Sequence, residues 1–291
     1  MSDKEARMSR LWIKVGALLG AVVMLAVGFF TWQRFYPVQA AAGWQVEVAY
    51  DGLEKAAGLG LEEHGNVLVT TELQHDKGQL LSIDAQGKRT VLVDKLSKPD
   101  GLVPYLGGHA FSQETPGRPV SLLHNGAVQP LFMGEYVQGL KADGPLLYAI
   151  EDRKGDGRLL RYDARDKSLS VLREGLSESE SLEFCPDGRK LYTVKAAGVI
   201  KRLSDDGKDP VYLEGFKSPT FLLCDERGLW VVEDQTHLAR LWRVDASGQR
   251  HVVLSHLRAP QELLPLGNGN YLLAEGGRDR VLRLSIKPQG R

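Results

Sequence analysis

The chain repeats a short pattern about every 40 residues, and this repeat limits the possible fold more than any other feature. A strand-like run followed by a turn recurs at intervals of 39 to 41 residues. Short segments of alternating apolar and polar residues, separated by Gly, Asp and Asn, fill each interval. Four strands in a repeat of this length are typical of a β-propeller blade. The six turn positions are Asp84, His124, Asp163, Ser204, Asp245 and Ser285.

Six copies predict an all-β, six-bladed β-propeller over residues 44–291. The last copy ends at Arg291 without room for its fourth strand. Residues 44–50, WQVEVAY, alternate as a strand does and stand just before the first copy. We expect this N-terminal strand to complete the last blade and close the ring, because closure removes exposed sheet edges.

An apolar segment precedes the repeats. Residues 15–32 form an uncharged stretch of 18 residues, which as a helix spans about 27 Å, close to the thickness of a bilayer core. Lys4, Arg7, Arg10 and Lys14 precede this stretch, whereas only Arg34 closely follows it. The positive-inside rule then predicts a cytoplasmic basic tail (1–14), a transmembrane anchor (15–32), a linker (33–43) and an exported propeller.

The alternative is a cleaved signal peptide, for which Val38-Gln39-Ala40 offers a small-residue cleavage pattern. The apolar run is longer than the usual core of a signal peptide, which favours a retained anchor. In either case the propeller lies on the periplasmic or extracellular side.

Composition and missing motifs exclude several classes of function. Lys plus Arg equals Asp plus Glu at 37 each, so net charge gives no support for a nucleic-acid partner. The sequence also lacks GxSxG, GxxxxGK[ST], GxGxxG and HExxH motifs. Serine-nucleophile hydrolysis and nucleotide chemistry are therefore disfavoured.

Two segments carry a resemblance to a known superfamily. Residues 179–192, SESLEFCPDGRKLY, and residues 99–102, PDGL, look like the blade pattern of the SMP-30/gluconolactonase and strictosidine-synthase-like propellers, with NHL repeats as a related group. The resemblance implies a six-bladed propeller and a divalent metal at its top face. The family's metal ligands, a Glu, an Asn and an Asp, match Ala57, Glu180 and Thr220 here; only Glu180 keeps an oxygen ligand of that strength, and none of the three keeps the family residue.

Two positions in each blade are expected to face the top mouth of the central channel. The first is the start of the innermost strand, and the second is the end of the strand that returns. The predicted start positions are Ala57, Asp100, Gln138, Glu180, Thr220 and Gln261. The predicted return ends are Glu72, Glu114, Glu151, Lys195, Glu233 and Glu275.

Converging carboxylates need a compensating positive charge. A hard divalent cation with oxygen ligands supplies one, so Ca²⁺ is the preferred cofactor and Mg²⁺ or Mn²⁺ is possible. The alternative is that each glutamate simply accepts hydrogen bonds from its own top loop, while Lys195 pairs with an acidic neighbour. The candidate metal ligands are Asp100, Gln138, Glu180, Glu233 and Gln261, and the candidate substrate-facing ring is Glu72, Glu114, Glu151, Lys195 and Glu275.

His75 and His237 follow Glu72 and Glu233 in the top loops and are weak candidates for a general base. Cys185 and Cys224 occupy equivalent positions in blades 4 and 5. An oxidising compartment would permit a disulfide between them, but equivalent positions on diverging blades are expected to lie too far apart, so we expect both to be free, buried thiols. The sequence thus predicts a membrane-anchored, divalent-metal-dependent hydrolase of a lactone or ester. The alternative is a non-catalytic propeller whose acidic top face binds a small ligand or a membrane protein partner.

Overall fold

The computed structural model describes residues 3–287, which divide into two compact units, Met1–Pro37 and Val38–Arg291. The first unit contains helix α1 (Asp3–Phe35), whose apolar part, Arg10–Phe35, includes an 18-residue stretch with a mean hydropathy of 2.2. By length and composition this helix can cross a membrane, and a signal sequence has the same properties. The helix is continuous through the predicted basic tail and anchor and ends inside the predicted linker.

In residues 38–287 the strands form six antiparallel sheets, which are the six predicted blades. Blade 1 contains β3 (Ala56–Leu61), β4 (Val67–Thr71), β5 (Gly78–Ile83) and β6 (Arg89–Leu96). Blade 2 contains β7 (Pro99–Tyr105), β8 (Gly108–Gln113), β9 (Arg118–His124) and β10 (Ala127–Gly134). Blade 3 contains β11 (Val137–Asp143), β12 (Leu146–Glu151), β13 (Gly157–Asp163) and β14 (Ser168–Leu176).

Blade 4 contains β15 (Leu182–Phe184), β16 (Lys190–Val194), β17 (Val199–Arg202) and β18 (Val211–Glu214). Blade 5 contains β19 (Pro219–Asp225), β20 (Gly228–Glu233), β21 (Ala239–Val244) and β22 (Arg250–Leu257). Blade 6 contains β23 (Pro260–Gly267), β24 (Asn270–Glu275) and β25 (Arg280–Ile286), with a short 3₁₀ helix, Gly276–Arg278, before β25.

The N-terminal strand closes the ring, as the sequence predicts. Strand β2 (Trp44–Asp51) pairs antiparallel with β25 and becomes the fourth, outermost strand of blade 6. Its register joins Trp44 to Ile286. A two-residue strand, β1 (Gln39–Ala40), adds a fifth strand to blade 5 by pairing with Ser255 and Leu254. The outer edges of blades 5 and 6 are thus covered by chain that precedes the first repeat.

The core consists of apolar layers between neighbouring blades. One of these layers combines the fully buried Trp230 of blade 5 with Tyr271 and Leu273 of blade 6, and Trp44 of the closing strand packs against it. Tight packing near the channel also requires small residues. A Cβ on Gly101 would lie 2.2 Å from the carbonyl oxygen of Gln138, and one on Gly139 would lie 2.3 Å from that of Glu180. These glycines let adjacent inner strands approach closely, which holds the channel mouth together.

The expectation of free cysteines is wrong. Cys185 and Cys224 form a disulfide between the inner strands of blades 4 and 5, with their Cα atoms 5.0 Å apart. Equivalent positions on adjacent blades are close enough here because inner strands lie near the axis, where the blades have not yet diverged.

Candidate functional site: the acidic mouth of the channel

One backbone hydrogen bond recurs in all six blades and fixes which side chains reach the mouth. The residue after the second strand donates its N–H to a carbonyl 16 or 17 residues earlier, for example Glu114 to Lys98 and Lys195 to Glu178. Each accepting residue has positive φ, between 41° and 54°. The donors, which are the true return ends, are Glu72, Glu114, Asp152, Lys195, Asp234 and Gly276.

The predicted ring is therefore shifted by one residue in three blades. Glu72, Glu114 and Lys195 are return ends, whereas Glu151, Glu233 and Glu275 precede the return ends of their blades. Each of these three accepts a backbone N–H from its own top loop: those of Glu135, Lys217 and Arg258, respectively. Successive side chains of a strand point to opposite faces, so a shift of one residue takes a side chain away from its predicted position.

Two of the displaced glutamates also hold arginines. Glu151, fully buried, accepts two hydrogen bonds from the Arg158 guanidinium, at 2.7 and 2.8 Å. Glu275, also fully buried, bonds Arg278 and Arg280. For Glu151 and Glu275 the structure thus matches the alternative stated above, in which the glutamate accepts hydrogen bonds from nearby donors instead of binding a cation.

Five of the six predicted start positions border one cavity. Asp100, Gln138, Glu180, Thr220 and Gln261 all border a cavity of about 230 Å³. Ala57 is completely buried and does not line it. The mouth therefore presents oxygen atoms from blades 2 to 6 at the start positions and carboxylates from blades 1, 2, 3 and 5 at the return ends.

Three carboxylates of blades 1 and 2 meet at one side of the mouth. One oxygen each from Glu72, Asp100 and Glu114 can be chosen so that all lie within 4.8 Å of one another. The Lys98 ammonium lies 3.3 Å from Oε1 of Glu72 and also bonds Oε2 of Glu114. Asp100 is only 8% exposed, and its Oδ2 has no hydrogen-bond partner among the described residues.

The carboxyls of this group are difficult to ionise. Desolvation is the main cause, and it raises the pKa of Glu114 to about 7 against the opposing charge of Lys98. The pKa of Asp100 is raised well above its usual value by desolvation and by the charges of Glu72 and Glu114. Desolvation also raises the pKa of Glu72. One ammonium is thus too little positive charge for three carboxyls.

A second group lies on the side of blades 3 to 5. The Lys195 ammonium is 2.6 Å from Oε1 of Glu180 and 3.0 Å from Oδ2 of Asp234. The Gln138 amide donates to Oε2 of Glu180 at 3.0 Å. Desolvation raises the pKa of Glu180 to about 8, although Lys195 opposes this. Oδ1 of Asp152 and Oε1 of Gln138 are buried acceptors that have no partner within residues 3–287.

A third polar group lies within the channel. Lys141 of blade 3 pairs with Glu183 of blade 4 at 2.7 Å. Glu262 of blade 6 accepts the Leu59 N–H at 2.7 Å, and desolvation raises its pKa to about 8.

Neither candidate histidine joins these groups. His75 is exposed in the top loop after Glu72. His237 is partly buried, and its pKa is lowered by desolvation and by the charges of Arg258 and Arg278. The structure therefore places His237 within the electrostatic influence of two arginines.

Similar proteins were found among solved structures only, since no protein-family model and no curated protein matches the sequence. A gluconolactonase from Xanthomonas campestris aligns with a TM-score of 0.70 at 13% identity, over 85% of this chain and 91% of that chain. Virginiamycin B lyase from Staphylococcus aureus aligns with a TM-score of 0.61 at 13% identity, over 86% and 100%.

An auxiliary nutrient binding protein from Bacteroides thetaiotaomicron aligns with a TM-score of 0.68 at 12% identity, over 86% of this chain and 78% of that chain. These likenesses span nearly the whole propeller. This chain therefore shares the fold of these proteins. At such low identity the likeness extends to the fold and not to a shared reaction.

In this propeller, the positions that the sequence resemblance implies for the family's metal do not form a ligand set. The side chain of Ala57 has no atom that could ligate a metal, and Thr220 is buried, with 2% of its surface exposed. The one carboxylate of the three positions, that of Glu180, is paired with the Lys195 ammonium. The three-carboxylate group of blades 1 and 2 has a better donor set. It is made of oxygens only, which suits a hard divalent cation.

Sequence reasoning missed Lys98 and did not assign Asp152 or Asp234 to the ring. Asp152 and Asp234 each directly follow a predicted ring glutamate. The sequence therefore shows an acidic pair at each return end, and the second residue of the pair could have been chosen for the ring. Lys98 gave no signal of its own, because the carboxylates that it contacts come from the return ends of blades 1 and 2, 26 residues before it and 16 residues after it.

Proposed function

We propose that the mouth of this propeller binds a divalent cation at Glu72, Asp100 and Glu114, with Ca²⁺ preferred over Mg²⁺ or Mn²⁺, and that the protein hydrolyses a lactone or ester there. The observation that carries the proposal is the buried, unpartnered Oδ2 of Asp100 beside two further carboxylates. A buried polar atom without a partner is costly, and a cation would remove that cost.

A bound cation would supply Lewis-acid polarisation of the substrate's carbonyl group. The chain itself offers a proton-exchanging group close by, because the pKa of Glu180 is raised to about 8. A group with a pKa near the working pH serves well in general acid–base catalysis. Lys195 and Gln138 hold the two oxygens of Glu180 from different sides, which fixes the orientation of the carboxyl.

Calcium-dependent thermal stability of the full-length protein in detergent tests the binding step. Calcium at 100 times its Kd adds about 2.7 kcal/mol to the free energy of unfolding, or roughly 5–10 °C in the unfolding midpoint. Asp100→Asn should raise the midpoint without calcium, because it removes a buried carboxyl whose pKa is raised, and should abolish the calcium response. Glu63→Gln, which removes an exposed carboxyl elsewhere, is the control.

Absence of any shift with Ca²⁺, Mg²⁺ and Mn²⁺ would refute the cation site. If the shift is present, hydrolysis of a panel of lactones and aryl esters tests the reaction. Glu180→Gln should then lower kcat while leaving the calcium-induced shift in place.

A second candidate function is a non-catalytic propeller that binds a small ligand or a membrane protein through the same face. The observation that favours it is the loss of carboxylates at two of the three family metal positions. A calcium shift without turnover of any compound in the panel would support this function over the hydrolase.

We further propose that α1 anchors the propeller to a membrane, with the basic N-terminus in the cytoplasm. The disulfide supports an extracytoplasmic propeller, because disulfides persist in oxidising compartments. Protease added outside intact cells, or outside spheroplasts where an outer membrane is present, should digest the propeller, and the mass of the membrane-bound product should include residues 1–37. Absence of a membrane-bound product, together with an undigested protein that begins after Ala40, would instead indicate a cleaved signal peptide.

A further inference from the structure

The Lys98 ammonium stands where the proposed cation would bind. It contacts Glu72 and Glu114, two of the three carboxylates in that group. Its backbone is fixed, because its N–H bonds the Leu73 carbonyl and its own carbonyl accepts the N–H of Glu114. The side chain is 25% exposed, so it borders the open mouth.

Lys98 and a divalent cation cannot share these oxygens. A cation coordinated by Glu72 and Glu114 lies about 2.0–2.6 Å from the oxygens that the ammonium uses. The two positive charges would then be only a few ångströms apart and would repel strongly in a partly desolvated site. The lysine side chain is long and flexible, and its neighbourhood opens to solvent, so the ammonium is the group that can leave.

This inference rests on the cation site proposed above: we infer that the Lys98 ammonium competes with the cation for the carboxylates of that site. The ammonium partly neutralises the carboxylates when no cation is bound and swings outward when one binds. The affinity for the cation is therefore set by Lys98 as well as by the carboxylates. Oδ2 of Asp100, which has no hydrogen-bond partner among the described residues, is the oxygen left free for the incoming ion.

Lys195 provides a matched control. Its ammonium also bridges two carboxylates, those of Glu180 and Asp234, and its side chain is 26% exposed. It lies outside the three-carboxylate group. Removing either lysine changes the charge of the mouth by the same amount, but only Lys98 occupies the proposed site.

The first experiment measures calcium binding to full-length protein in detergent by isothermal titration calorimetry. Lys98→Met should bind calcium at least tenfold more tightly than the parent, and Lys195→Met should stay within about threefold of it. Without calcium, Lys98→Met should unfold at a lower temperature, and calcium should reverse this loss. Equal affinity of parent and Lys98→Met, or equal tightening by both variants, would overturn the competition.

The second experiment needs no variant to fold. Lysines of the parent are acetylated with an amine-reactive ester, with and without calcium, and the extent is read by mass spectrometry. Calcium should increase modification of Lys98 at least threefold and leave Lys195 unchanged. Unchanged Lys98 modification in protein that demonstrably binds calcium would overturn the inference while leaving the cation site intact. No calcium binding by either the parent or Lys98→Met would remove both.

Discussion

Glu262 gives a sharp test of the electrostatics of the channel. Its Oε2 accepts the Leu59 N–H, and a glutamine at this position keeps an oxygen for that hydrogen bond. Glu262→Gln therefore removes the titrating group and preserves the contact. Desolvation raises the pKa of Glu262 from 4.5 to about 8, while the Leu59 N–H and Lys141 oppose the rise.

The sign of the effect follows from proton linkage. Between pH 4.5 and 8 the folded state keeps a proton on Glu262 that the unfolded state has released, so the free energy of unfolding falls as pH rises. Each pH unit in this range lowers the free energy of unfolding by about 1.4 kcal/mol, so the total loss at pH 8 is at most about 5 kcal/mol. Glu262 is partly exposed to the channel, so we expect a smaller value, about 2–4 kcal/mol, after solvent screening.

The assay is urea denaturation followed by tryptophan fluorescence at pH 5, 6, 7 and 8. Near pH 5, Glu262→Gln and the parent should have similar stability, and the variant should become progressively more stable than the parent towards pH 8. Glu63→Gln controls for the loss of one negative charge. Parallel stability curves for Glu262→Gln and the parent would show that the channel does not desolvate this carboxyl, and the reasoning would fail.

Three further predictions follow from the packing. Glu151→Gln leaves the Arg158 guanidinium without its charged partner, and because Arg158 is partly exposed to solvent the free energy of unfolding should drop by about 1.5–3 kcal/mol, as urea denaturation at pH 7 would show. Gly101→Ala should lower it by several kcal/mol, because the new methyl group would overlap the Gln138 carbonyl. Reduction of the disulfide, which closes a loop with a sequence separation of 39, should lower stability by about 4 kcal/mol, and the Cys185→Ser/Cys224→Ser variant should then be insensitive to reductant.

The fold was predictable because a propeller repeats. A strand that is ambiguous in one copy of the pattern can be assigned from the same position in the other five copies. The closing strand was predictable because the last blade lacked its fourth strand. The start positions were also predictable, since acids and amides such as Asp100 and Gln138 stand out at the beginning of an apolar strand.

The return ends were less predictable, because strand side chains alternate and the sequence contains acids at both alternatives. Glu151 and Asp152 are adjacent, and a choice between them depends on where the second strand stops. That end is set by a hydrogen bond to a residue of positive φ, Tyr136, which has no sequence signature of its own. The disulfide and Lys98 depend on distances between blades, which a repeat pattern does not contain.

The pairing of Trp44 with Ile286 has a consequence for biosynthesis. The first long strand of the propeller must wait, unpaired on that side, until the chain has been synthesised as far as Ile286. Among the strand pairings of residues 3–287, the seam of the ring has the greatest sequence separation and is the last that translation makes possible. Before that moment, strand β2 has an open edge that a chaperone, or a neighbouring nascent chain, can bind in place of β25.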